Sequence, residues 1–160
     1  MSVTTDIVQG WTRPREVIRR HLARGQSEPF AFSLLVAFLV LTFVSLWPVL
    51  SRQSLMQPEV PMLQRLVAAG LALLASIPLW YGVALISRWI SGALGGQGSH
   101  HAARLALFAA LLAVAPAMLL RGLVAGMIGP GVQANLVGSV TAVGFLWIWI
   151  SMLHETERRL

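Results

Sequence analysis

The 160-residue chain contains no cysteine and no lysine. Without cysteine it has no disulfides, no thiolate metal sites and no cysteine nucleophile. Without lysine it has neither a Schiff-base site for retinal or pyridoxal nor the phosphate-binding lysine of a Walker-type loop. Charge of any kind is scarce, at 11% of residues, against about a quarter in soluble domains. The six acids are Asp6, Glu16, Glu28, Glu59, Glu155 and Glu157, and none falls within a long apolar run. Hydrophobic residues fill the space instead, at 56% of the chain. A core of this size cannot hide that much apolar surface, which excludes a soluble globular domain, and the same content excludes disorder. The sequence reads as an all-α integral membrane protein. Its net charge of +6 is carried by arginine at the edges of the apolar runs, so it marks membrane borders and not a nucleic-acid surface.

A hydrocarbon core of about 30 Å takes roughly 20 helical residues to cross. Four stretches qualify, at about 30–50, 66–89, 105–128 and 135–153, with Gly129-Pro130-Gly131 as a tight turn before the last. Residues 1–29 then form an Arg-rich cytoplasmic segment, 30–153 a four-helix transmembrane domain, and 154–160 a short cytoplasmic tail. Arg13, Arg15, Arg19, Arg20, Arg24, Arg88, Arg104, Arg158 and Arg159 fall on one side, and Arg52, Arg65 and Arg121 on the other. The positive-inside rule places both termini in the cytoplasm. No cleaved signal peptide is expected, because the first span is too long for one and lacks a small-residue cleavage site.

Outside the spans, the segment around Trp11, Ile18 and Leu22 has helical spacing. Thr12 can cap such a helix, and Pro14 suits its first turn. It reads as an amphipathic helix on the membrane surface, with Arg13, Arg15, Arg19, Arg20 and Arg24 toward anionic headgroups, or as a topology signal that happens to be helical. The middle loop, Gly95-Gly96-Gln97-Gly98-Ser99, ends on a plausible N-cap. Ser99, His100, His101 and Arg104 make it a candidate headgroup site at a helix N-terminus, or a flexible glycine loop with a capping serine. The spacing of His100, His101 and His154 requires no metal, and no histidine lies within a span to ligate haem, so no cofactor is expected.

Inside the spans, Ala106, Ala110, Ala113 and Ala117 form one stripe of the third helix, opposite Leu105, Phe108, Leu112 and Leu119. With Ala68, Ala72 and Ala75 in the second span, and Gly138 and Ala142 in the fourth, they are candidate packing positions through which spans two, three and four pack on one another, leaving the large face to lipid. Gly122 and Gly126 form a GxxxG, a cheap match in a chain with 14 glycines. Pro78 and Pro116 interrupt spans two and three; they shape a cavity or simply kink the helices, with Ser76 placed to satisfy the gap near Pro78. Arg121 is the intramembrane residue of most interest. It reads either as functional, with Asn135 or a backbone carbonyl as its internal partner, or as an anchor that snorkels to the interface.

Several stretches in order resemble the bacterial branch of the Yip-one family, the Ypt-interacting-protein domain of multi-pass membrane proteins. They are Arg13-Pro14-Arg15-Glu16-Val17, the Gly95–Ser99 loop, Ala115-Pro116-Ala117, and Leu146-Trp147-Ile148-Trp149 running to Leu153-His154-Glu155. The resemblance spans nearly the whole chain. It implies a membrane protein without catalysis, acting in membrane organisation or as a partner of other membrane proteins. Two departures are that four spans are counted where the family usually has five, unless 123–137 forms a re-entrant piece, and that the long N-terminal region eukaryotic members use with small GTPases is not seen.

The expected function is therefore that of a non-enzymatic organiser, or an accessory or assembly subunit, in a bacterial inner membrane. Its expected partners are anionic lipid and other membrane subunits or further copies of itself, with no nucleic acid. A small oligomeric transporter or channel for an anionic or hydrophobic solute is the alternative. An intramembrane enzyme is remote, since Ser139 and His154 are separated by about 22 Å along one helix.

Overall fold

The structure is a computed structural model that describes residues 3–23, 25 and 27–157. Arg24, Arg158 and Arg159 lie outside the described residues. Among those described there are seven helices and no strand: α1 (Val3–Thr12), α2 (Pro14–Ala23), α3 (Glu28–Met56), α4 (Met62–Ala75), α5 (Ile77–Ala93), α6 (His100–Met127) and α7 (Val132–Thr156). Four stretches are long and apolar enough to cross a membrane: α3, α4 with α5, α6, and α7. Each covers one expected span, α6 to within one residue at its far end, and runs past it at one end or both. An apolar count stops at the edge of the hydrocarbon, whereas a capped helix continues into the interface. Ser27 caps α3 by accepting the Phe30 N–H at 3.4 Å. The chain turns directly from α6 into α7 over 128–131, so 123–137 holds no extra re-entrant helix.

The second span is two helices meeting at Ser76. Pro78 lacks the N–H that would bond Leu74, so the ladder breaks one turn earlier. The Ser76 hydroxyl bonds one residue earlier, donating to the Leu73 carbonyl at 2.6 Å and accepting from the Trp80 indole at 3.2 Å. Pro116, by contrast, sits inside a continuous α6.

α6 is the central helix, packed against α1, α2, α3, α5 and α7. From His101 to Ala115 every residue except Arg104 is buried. Leu105, Phe108 and Leu112, expected toward lipid, are core residues at 3% exposure or less. Its tightest partner is α3, and the contact runs through the GxxxG that looked cheap. A Cβ at Gly122 would run into the Ser45 carbonyl, and one at Gly126 into Pro48. At the same end the Arg52 guanidinium donates to the carbonyls of Gly126 and Met127, closing the C-terminus of α6. The expected three-way packing of spans two, three and four is not what forms: α4 and α5 do not pack closely on α7, which α5 meets through the Arg88–Glu157 pair at its end.

The N-terminal segment, expected as one helix on the membrane surface, is two helices standing against the bundle. Pro14 opens α2, and the backbone breaks at Arg13 because a residue before proline is steered out of the α region. α1 folds back along α2, with Asp6 beside Arg20 at 3.1 Å and His21 at 3.5 Å. Val17 and Ile18 are buried in the core. Trp11 lies on α1 and donates its indole N–H to the Ala113 carbonyl at 2.8 Å. The carbonyl that Pro116 leaves without a helical donor is that of its neighbour Leu112. Ala113 is thirteen residues along α6 from His100, about 20 Å at 1.5 Å per residue. Gly10 and Gly144 make the approach possible, since a Cβ on either would come within 2.8 Å of Ala113 or 2.6 Å of the Trp11 ring respectively.

Candidate functional site

Two polar regions stand out, one at the arginine-rich end of the bundle and one in a lateral groove nearer the other end. At the first, the 95–99 loop is built residue by residue. Gly95 has φ +88° and stands just past the end of α5. It donates to the Gly92 carbonyl at 3.0 Å, and Gly96 donates to the Ser91 carbonyl at 2.9 Å. This bond pair closes a helix C-terminus through a left-handed glycine. Ser99 then opens α6, accepting the Ala102 N–H at 3.0 Å. Between them the Gly98 N–H donates to Glu157 Oε2 at 2.7 Å, and the Arg88 guanidinium lies 3.6 Å from the same carboxylate. A Cβ on Gly98 would come within 2.7 Å of the Thr156 carbonyl. The anion held by this loop is thus the chain's own Glu157, where the sequence offered either a headgroup site or a flexible glycine loop with a capping serine.

Glu28 and Glu155 do the same work between other elements. Glu28 of α3 takes Arg104 and, at 2.9 Å, His101 Nδ1, both from α6. Arg104 also lies over the Tyr81 ring of α5 at 5.9 Å. Glu155 of α7 is 2% exposed and accepts from Arg19 of α2 at 2.5 Å. Arg13 pairs with Glu16 on the exposed side of the hairpin at 3.5 Å. Of the expected headgroup ligands, then, Arg13, Arg19, Arg20, His101 and Arg104 are tied within the molecule. His100 is exposed, and Arg15 is exposed with no partner among the described residues. No group of three or more His, Cys, Asp or Glu able to hold a metal occurs among the described residues.

The second region is a cavity of about 590 Å³ between the α4–α5 arm and α7, floored by α3 and α6. Because α4 and α5 do not pack closely on α7, it opens sideways as a groove. Phe38, Leu73, Trp80, Leu111 and Phe145 line its inner part, and Arg121, Asn135 and Ser139 its outer part. Arg121 makes no hydrogen bond or ion pair among the described residues, so neither Asn135 nor a carbonyl is its partner. Its side chain lies across Gly138, where a Cβ would come 2.8 Å from Nε. Gly138 therefore makes room for the arginine. Ala142 is exposed and lines the groove, while Ala106, Ala110 and Ala113 are buried as packing positions and Ala117 is half-buried. Pro78 and Pro116 are both exposed.

A bundle of four membrane-length helices, tied at one end by interhelical ion pairs and grooved on its side, defines a multi-pass membrane protein. Residues 9–158 match the Yip1 domain, and the chain belongs to that family. No curated protein and no solved structure matches it.

Proposed function

We propose that this Yip1-domain protein is non-enzymatic and acts in membrane organisation, or as an accessory or assembly subunit of a membrane complex. The observation that carries this reading is the second span. α4 buries none of its residues, and in α5 only Ala84 and Ser87 are buried. Ala68, Ala72 and Ala75 stand exposed at helical spacing on α4. A row of small residues on a loosely held transmembrane helix suits close approach by another helix. Purification of the intact protein in nanodiscs at native expression level, with mass spectrometry of what accompanies it, tests the reading. A defined set of membrane subunits, lost in Ala72→Leu, is the expected result; recovery of the chain alone argues against it.

The favoured location is a bacterial inner membrane with both termini in the cytoplasm. It is supported by Arg19, Arg20, Arg88 and Arg104 at one end of the bundle, with Arg52, Arg65 and Arg121 toward the other. Reporter fusions at the two ends and in the 57–61 connection measure the orientation directly. A second reading, a small oligomeric transporter for an anionic or hydrophobic solute, is favoured by Arg121 in the groove. Solute flux into liposomes that disappears in Arg121→Ala supports that reading, and no flux under any gradient removes it.

A further inference from the structure

We infer that the lateral groove binds one anionic phospholipid, with the phosphate on Arg121 and an acyl chain running inward along α6. This goes beyond the functional reading above and stands whether or not the chain has protein partners. A guanidinium inside a membrane span is costly unless something neutralises it. At the arginine-rich end, Arg19, Arg88 and Arg104 each meet a carboxylate, while Arg52 and Arg65 are bonded to backbone carbonyls. Arg121 has neither, and no acid lies in the spans to supply one. Any complementary charge therefore comes from outside the chain, and a phosphate matches the planar fork of a guanidinium through two parallel hydrogen bonds.

The distribution of polarity along the groove selects a lipid over a soluble anion. Arg121 is six residues from the end of α6 and Asn135 three from the start of α7, about 9 Å and 4.5 Å inward at 1.5 Å per residue. Both, with Ser139, sit toward the headgroup level. The Asn135 amide and Ser139 hydroxyl make no hydrogen bond among the described residues, whereas Thr141 donates its own to the Val137 carbonyl at 2.7 Å. From Arg121 to Leu111 the wall continues for ten residues of α6, about 15 Å, between apolar and aromatic side chains. A volume of about 590 Å³ falls in the range of small-molecule sites. Polar at the interface, apolar toward the midplane and open sideways to the bilayer, the groove has the polarity profile of the lipid it takes.

The test uses the intact protein in liposomes with phosphatidylglycerol carrying a diazirine on its acyl chain, and a matched phosphatidylcholine probe. Phosphatidylglycerol should label peptides from Leu111–Arg121 and Asn135–Phe145 in preference to phosphatidylcholine. Arg121→Gln should lower that labelling about tenfold, and Arg121→Lys, which keeps the charge and loses the fork, should restore only part of it. Ala142→Trp, which keeps the charge and narrows the groove, should lower labelling by both probes; circular dichroism and gel filtration confirm that each variant is folded. Equal labelling by the two lipids, labelling unchanged in Arg121→Gln, or labelling confined to other helices overturns the inference. Protection by inorganic phosphate at the concentration where lipid binds would also overturn it, by making Arg121 a simple ion site.

Discussion

Arg19, Arg88 and Arg104 each end on a carboxylate that belongs to another helix, while Arg121, in the wall of the groove, ends on none. The same residue type therefore does two jobs. At the arginine-rich end, Glu28, Glu155 and Glu157 join α3 to α6, α7 to α2, and α7 to the α5–α6 loop. That end is closed, and its charges are internal ties. The groove has polar side chains of the same reach, yet its two walls do not meet. Substitutions at the closed end should register in stability; those in the groove should register in what the protein binds.

The largest effect is expected at the seam both regions share. Gly122→Leu forces a side chain into the Ser45 carbonyl and should separate α3 from α6, costing about 3 kcal/mol or more. Reversible unfolding in mixed micelles, followed by circular dichroism, measures it; a loss below about 1 kcal/mol would mean the two helices do not meet as described. Next comes Arg19→Ala, which leaves the Glu155 carboxylate buried without its cation. Because Arg19 is itself 56% exposed, the expected loss is about 2 kcal/mol, below the range for fully buried pairs. Glu155→Gln should cost less, and the double variant less than the sum of the singles. Gly98→Ala should then cost about 1 kcal/mol through its contact with the Thr156 carbonyl. It should also expose the C-terminal end of α7 to protease. Smallest of all, Ser139→Ala in the groove should stay within about 0.5 kcal/mol of the parent. A large loss there would show the groove wall to be structural and erase the contrast.

Much of this architecture is legible in the sequence, and what is not has a physical reason. The four spans follow from apolar length, because lipid permits no other use of such runs. The break at Ser76 and Pro78, the cap at Ser99 and the special position of Arg121 were also readable from local chemistry. The direction of apolar side chains was not. Leu105, Phe108 and Leu112 are as compatible with lipid as with protein, since acyl chains are as apolar as leucine. Their burial depends on which helix lies beside α6. The N-terminal hairpin was hidden for the same reason, as Trp11 and Ile18 would serve a membrane surface equally well. Headgroup binding at the Gly95–Ser99 loop was a fair reading of its exposed N–H groups. What the sequence could not supply was the position of Glu157, 59 residues away from Gly98. Gly122 and Gly126 are legible only as a two-glycine match, which has little information until its partner surface is known.

The hairpin also sets a timetable for the protein's birth. Trp11 bonds a carbonyl 102 residues ahead of it, and Arg19 a carboxylate 136 residues ahead. At about 5–20 residues per second of synthesis, the N-terminal helices wait on the order of ten seconds before the last helix exists to receive them. Until then only the α6 side of their site exists, and the α7 side, with Gly144 beside Trp11, is missing. Helices made early are thus among the last to be fully placed, and a ribosome stalled before α7 would leave them exposed to the machinery that inserts or degrades membrane proteins.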